Sequence, residues 1–147
     1  MFIDEKNLLV KRSLIASAGK GLFTKIPISK GEHIIEYTGV ITTWKNVLQS
    51  KDFNGYVFYV NRNHVIDAKE NLNSLGRYVN DAKGLTKVEG LFNNAKYVEN
   101  DGKVFLQAIR DIPAGSEILV SYKKGYWDVI RYNAQFNLRK KKRIKEK

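Results

Sequence analysis

Glycines at 19 and 21, an asparagine at 80 and tyrosines at 37, 97 and 122 are the residues of this 147-residue chain whose types and settings can do chemistry. Two glycines separated by one residue let a backbone approach a ligand closely and leave amide and carbonyl groups free to hold it. The stretch Ala18-Gly19-Lys20-Gly21 reads equally well as a plain turn. Asn80 offers a hydrogen-bond donor and an acceptor on one short side chain. Tyr122 ends the last strand-like stretch, and taken alone it is a core aromatic with a satisfied hydroxyl. Buried tyrosines are also ordinary in small β-rich proteins, which is the plain reading of Tyr37 and Tyr97. Metal and acid-base groups are scarce. The chain has no cysteine, and its two histidines, His33 and His64, lie in alternating strand-like segments as surface or satisfied strand residues. Neither a disulfide framework nor a thiolate zinc cluster can form, no metal site is expected, and stability rests on packing.

The elements that must position these residues are short. Stretches rich in β-formers alternate with turn residues, which predicts a mainly β fold with few helices, built from several small sheets rather than one parallel sheet with crossover helices. Strands are predicted at Leu9–Ser13, His33–Tyr37, Val40–Thr42, Tyr56–Val60, Val65–Asp67, Ala95–Val98, Val104–Ala108 and Glu117–Val120. Asn100-Asp101-Gly102 suits a hairpin between Val98 and Val104, and Pro113-Ala114-Gly115 makes a turn before Glu117. Thr42 or Thr43 can cap a helix running to about Lys51. Trp127, Ile130, Ala134 and Leu138 have the spacing of one helical face within Tyr126–Arg139. The length fits one domain with a single core.

The net charge of +11 is unevenly placed. Arg139 to Lys147 holds seven Lys or Arg against one Glu, or +6 of the total, leaving +5 for the other 138 residues. Such a run is either a solvated, frayed end or a contact for a polyanion such as DNA, RNA or a nucleosome. Apolar runs such as Ile34-Ile35 are too short to cross a bilayer, and Met1-Phe2-Ile3-Asp4-Glu5 lacks the order of a secretory signal. A soluble, intracellular protein is expected.

Three pieces carry a more specific signal: Ala18-Gly19-Lys20-Gly21-Leu22-Phe23, Gly76-Arg77-Tyr78-Val79-Asn80-Asp81 and Gly115-Ser116-Glu117-Ile118-Leu119-Val120-Ser121-Tyr122. In their order and spacing they resemble the SET-domain family of protein-lysine methyltransferases, over about Leu14 to Trp127. The resemblance implies a SET-domain β-fold with a C-terminal pseudoknot, in which the chain ending in the catalytic tyrosine threads the segment after the asparagine motif. That departs from the usual rule against threading. Asn80 and Tyr122, 42 residues apart, would then meet at one site. The chain divides into a lead-in strand over 1–13, a SET domain over 14–123, a helix over 124–138 that closes the channel, and a disordered basic tail over 139–147.

The same resemblance implies S-adenosylmethionine as cofactor, bound by Gly19, Lys20, Gly21, Leu22, Arg77, Tyr78, Asn80, Asp81 and Trp127. Tyr122 takes the place of the family's active-site tyrosine. Tyr37 in Tyr-Thr-Gly, and Tyr97 after Asn93-Asn94-Ala95-Lys96, join it as walls of a lysine channel. The family usually follows its asparagine with a histidine that acts largely through backbone contact with the adenine; Asp81 stands here instead, which that backbone role tolerates, while its charge weighs against cofactor affinity. Tyr97 and the small Val120 resemble members that stop at one methyl. The implied function is an S-adenosylmethionine-dependent protein-lysine N-methyltransferase acting on a histone or other basic protein, with nucleic acid or nucleosome contact through Arg139–Lys147. Its place would be the nucleus or chromatin in a eukaryote or a host, and the cytoplasm otherwise. Two readings compete with it: a catalytically weak SET-like module that binds nucleic acid or protein, and a small basic RNA-binding β domain whose SET-like pieces are coincidental.

Overall fold

Asp101 and Gly102 both have positive φ, 54° and 81°, the backbone of a tight two-residue hairpin turn. They join β7 (Ala95–Asn100) to β8 (Lys103–Ala108), which pair antiparallel from Asn100↔Lys103 to Ala95↔Ala108. A computed structural model of the chain describes residues 2–16, 18–49, 56–83 and 88–122. Among these, the earlier strands are β1 (Leu8–Arg12), β2 (Lys20–Thr24), β3 (His33–Glu36), β4 (Val40–Thr42), β5 (Val57–Asn61) and β6 (His64–Asp67), and β9 (Glu117–Ile118) closes the series. Among the described residues one α-helix, α1 (Trp44–Gln49), and two short 3-10 turns, Glu5–Asn7 and Leu75–Tyr78, are the helical elements. The strands form three small sheets with orders β1-β2-β9, β3-β8-β7 and β4-β6-β5. This is the mainly β architecture that the alternating pattern predicts.

Two expectations change. Lys20 and Gly21, read as part of a turn, open strand β2, and only Gly19, at φ 71°, keeps the turn conformation. Glycine weakens a strand, yet here a long-range contact overrides propensity: Gly21 is buried, and a Cβ on it would lie 2.3 Å from Glu117 Oε2. The final strand is also shorter than Glu117–Val120, because after Ile118 the chain leaves the ladder with β2. Leu119 then bridges Asn80 and Val120 bridges Ala95, both in parallel. The helix predicted over Tyr126–Arg139, with Trp127 and the basic tail, lies outside the described residues.

Three apolar clusters join the sheets. The largest gathers Leu22, Ile28, Ile34, Val79, Leu106, Ile118 and Val120, all at most 1% exposed, and so fastens β2 and β9 to β3 and β8. A second unites Tyr37, Ile66, Ala68 and Val104 and seats the third sheet on the second. Ile15, Ala82 and Leu119 form the third, beside the segment that carries Asn80. No helix of the described residues is long and apolar enough to cross a membrane.

Candidate active site

The segment after β9 is bracketed on both sides. Asn80 lies along one side, where Val120 N donates to Asn80 O at 2.9 Å. Asn94 and Ala95 lie along the other, with both their amides donating to Leu119 O at 2.8 and 3.0 Å. The buried Asn94 side chain completes this seam, since Nδ2 donates to Glu117 O at 2.9 Å and Oδ1 accepts from Leu119 N at 2.8 Å. An amide side chain thus does the work of one more strand residue. Because 80 and 94 belong to one continuous piece of chain, the closing segment runs between its two ends, the arrangement expected of the threaded fold.

Glu117 is 3% exposed. Its Oε2 accepts from Ser13 Oγ at 2.7 Å and from Asn80 Nδ2 at 3.3 Å, and its Oε1 accepts from Leu14 N at 2.9 Å. A buried carboxylate is tolerated where several donors converge on it. Asn80 Nδ2 also donates to Lys20 O at 3.0 Å, which turns that amide toward β2 and Glu117. Asn80 Oδ1 accepts no hydrogen bond among the described residues. Beneath this junction there is no room for a side chain at 21. Gly21→Ala is expected to force Glu117 aside and cost about 2 kcal/mol, as overpacking of a filled site does. A urea midpoint unchanged by this substitution would contradict the packing described.

Tyr122 is tied to the same segment at both ends. Its N–H donates to Asp81 Oδ2 at 2.8 Å and its hydroxyl donates to the carbonyl of Val79. The phenol therefore reaches the residue next to Asn80, so that positions 80 and 122, 42 residues apart in sequence, lie on adjoining stretches of chain. Asp81, 6% exposed, also accepts from Lys83 N and Asn93 Nδ2 through Oδ1. Its carboxylate serves the protein's own N–H groups.

Tyr37, Phe58 and Tyr97 form an aromatic wall. Tyr97 meets Phe58 edge to face with centroids 4.7 Å apart and Tyr37 at 6.3 Å, while Tyr37 donates to Tyr56 O at 2.6 Å. Tyr97 packs against the largest core cluster, as does Tyr122, and against the second cluster that holds Tyr37. Arg77 belongs to this side: its guanidinium stacks on Tyr56 at 4.0 Å and Tyr78 at 5.1 Å and donates to Lys69 O and the Tyr78 hydroxyl. Arg77 and Tyr78 thus share no hydrogen-bond partner with Asn80. Leu22 spends its side chain in the core, and its backbone lies in the central strand, between Val10 and Ile118. Lys20 is exposed, with its carbonyl on Asn80. Trp127 lies outside the described residues.

Phe58, Asn93, Asn94 and Glu117 are the site residues that the sequence reading passes over as chemistry. Glu117 carries a signal as a charged residue at the head of the apolar run Ile118-Leu119-Val120, and Asn93-Asn94 as the start of the segment that ends in Tyr97; Phe58 carries none.

Residues 19–123 match the family model described as SET domain. The chain belongs to the SET-domain family. This SET domain is 30% identical over 123 residues to the N-lysine methyltransferase KMT5A of Xenopus tropicalis, across 77% of this chain and 35% of that protein. It is 27% identical over 128 residues to the histone-lysine N-methyltransferase EZH2 of Chaetomium thermophilum, across 80% of this chain and 8% of that protein. The SET domain therefore spans about a third or less of the length of these relatives. The methyltransferase domain of human PR domain-containing protein 2 has the same fold, with a TM-score of 0.59 at 23% identity over 82% of this chain and 79% of that one. A match of this length removes coincidence as an account of the three sequence pieces.

Proposed function

We propose that this SET domain is an S-adenosylmethionine-dependent protein-lysine N-methyltransferase acting on a histone or other basic protein. The observation that carries the reading is the meeting of Tyr122 and the Asn80 segment, with Tyr97 linking the core cluster under Tyr122 to the one that holds the aromatic wall of Tyr37 and Phe58. Family membership supports the reaction class, and the names of the two relatives support lysine as acceptor.

The residues present suit the cofactor. Asn80 Oδ1, which accepts no hydrogen bond among the described residues, would take an ammonium group, and Gly19, at φ 71° with nothing within 4 Å of where a Cβ would stand, would give backbone access. Gly19, Lys20, Gly21 and Leu22 with Asn80 would hold the amino-acid end, and Trp127 would pack near the adenine or the channel rim. S-adenosylmethionine supplies, when bound, a methyl group on a positively charged sulfur.

The protein's own task is to present lysine as a neutral, aimed amine. Free lysine has a pKa of about 10.4, so near neutral pH only about one molecule in a thousand is nucleophilic. An aromatic wall of low polarity disfavours the ammonium, and a neighbouring positive charge disfavours it further. The tyrosine hydroxyls would then hold the amine's lone pair in line, gaining rate by positioning. No His or Glu is needed as a base. With no protein base to titrate, kcat/KM for a lysine peptide is expected to rise about tenfold per unit from about pH 7 to about pH 9, following the free amine. A profile flat or falling across that range would contradict this. Tyr97, crowded by Phe58 and Tyr37, leaves little room for a methylated amine to turn, which favours one methyl as product.

The basic run Arg139–Lys147 is assigned to nucleic acid near the substrate, which fits a nuclear or chromatin-bound setting. The test is incubation with tritiated S-adenosylmethionine and histones, ribosomal proteins or cell lysate. Label on a basic protein is expected, and its absence from all three would defeat the reading.

A further inference from the structure

Asp81 collects three N–H groups on one carboxylate: Lys83 N at 2.8 Å and Asn93 Nδ2 at 3.0 Å on Oδ1, and Tyr122 N at 2.8 Å on Oδ2. Asn93 in turn accepts from Ala82 N through Oδ1 at 2.8 Å, so its amide is fixed with Nδ2 toward Asp81. Both carboxylate oxygens must therefore be acceptors, which a neutral amide cannot match. The bond to Tyr122 links residues 41 apart in sequence, and it falls on the main chain of the residue whose phenol reaches the Val79 carbonyl. Val79 and Asp81 flank Asn80. The segment 79–81 thus grips Tyr122 by its hydroxyl at one end and its amide at the other.

We infer that Asp81 is a positioning residue for methyl transfer, fixing the backbone from which Tyr122 presents its hydroxyl, and not a group that binds the cofactor. The inference rests on the reading of Tyr122 as the catalytic tyrosine. Its negative charge is neutralised by the protein's own N–H groups, so the substitution of an acid at this place need not weaken cofactor affinity.

Asp81→Asn separates these roles. The asparagine keeps its oxygen toward Lys83 and Asn93, the side with two donors, and turns its NH2 on the Tyr122 amide. Tyr122 is pushed off its place, and a displacement of this kind lowers kcat about a hundredfold. The KM for S-adenosylmethionine is expected to stay within about threefold, since no cofactor contact is lost. Adding Asn93→Asp lets residue 93 accept from the new amide and turns the oxygen of residue 81 back to Tyr122; the Lys83 amide loses its acceptor in exchange, away from Tyr122, and most of kcat is expected to return.

The wild-type protein offers a measurement that needs no variant. The Tyr122 amide should exchange with solvent at least about a hundredfold more slowly than an unprotected amide. Exchange at the unprotected rate would overturn the inference. So would a folded Asp81→Asn protein with unchanged kcat, or one whose loss lies in the cofactor KM, while Tyr122→Phe is inactive; the function reading would then stand. Full activity in Tyr122→Phe would overturn both. If Asp81→Asn does not fold, the double variant and the amide exchange decide.

Discussion

Tyr122→Phe is expected to lower methyl transfer about a hundred- to a thousandfold, the usual effect of removing one preorganised hydroxyl from a transfer site. The fold should survive. The ring keeps its packing against the largest core cluster, and the loss of the hydrogen bond to the Val79 carbonyl costs about 1 kcal/mol. Cofactor affinity should change little, because the hydroxyl is spent on the protein and the methyl-accepting side, while the acceptor at Asn80 Oδ1 remains. Equilibrium binding of S-adenosylmethionine and turnover, measured on the same preparation, separate the two effects. A variant that binds poorly and turns over normally once saturated would reverse the roles given to these residues.

Glu117→Ala is expected to have the largest effect on stability, about 3 to 5 kcal/mol, since it strands the buried Ser13 hydroxyl and the Leu14 amide, leaves the Asn80 amide with Lys20 O alone of its two acceptors, and opens a hole beneath Gly21. Against the 5 to 15 kcal/mol typical of a whole domain, roughly a third or more of the stability is at risk. Glu117→Gln should cost less, about 1 to 2 kcal/mol, because one oxygen still accepts and only one side faces a donor it cannot serve. Urea unfolding of both variants gives the comparison. A loss below about 1 kcal/mol for alanine would mean that this carboxylate does not join the three segments. Where the alanine variant folds, its affinity for S-adenosylmethionine should fall as well, because Asn80 loses one of the two acceptors that orient its amide.

How far the sequence could be read follows from the range of the interactions involved. Strand β4 and the hairpin at Asp101-Gly102 were legible because alternation and turn chemistry are local, and β8 was found to within one residue at its start. Strand β2 was not, because two glycines argue for a turn until Glu117, almost a hundred residues away, is known to lie beneath them. The shortened β9 has the same cause: Leu119 and Val120 look like strand, and their partners, Asn80 and Ala95, become visible only once the chain is threaded. Nothing local in Tyr122 distinguishes it from a core aromatic. Its pairing with Asn80 came from the resemblance to a family, and the family match and the geometry now support that resemblance independently. The fates of Asp81 and Asn93 could not be read at all, since their hydrogen bonds join three loops whose approach only the fold determines. Three sheets of three strands, in which local hairpins such as β7–β8 and β5–β6 are joined by pairings between distant strands, leave such polar junctions invisible in one dimension.

Amino-acid analysis of the labelled product tests the central claim most directly. After transfer from tritiated S-adenosylmethionine to a basic protein and complete hydrolysis, the counts should run with N6-methyllysine, mostly in its monomethyl form, and be absent when Tyr122→Phe replaces the wild type. Counts that run with methylarginine or methylhistidine, or that persist undiminished in the phenylalanine variant, would contradict the account.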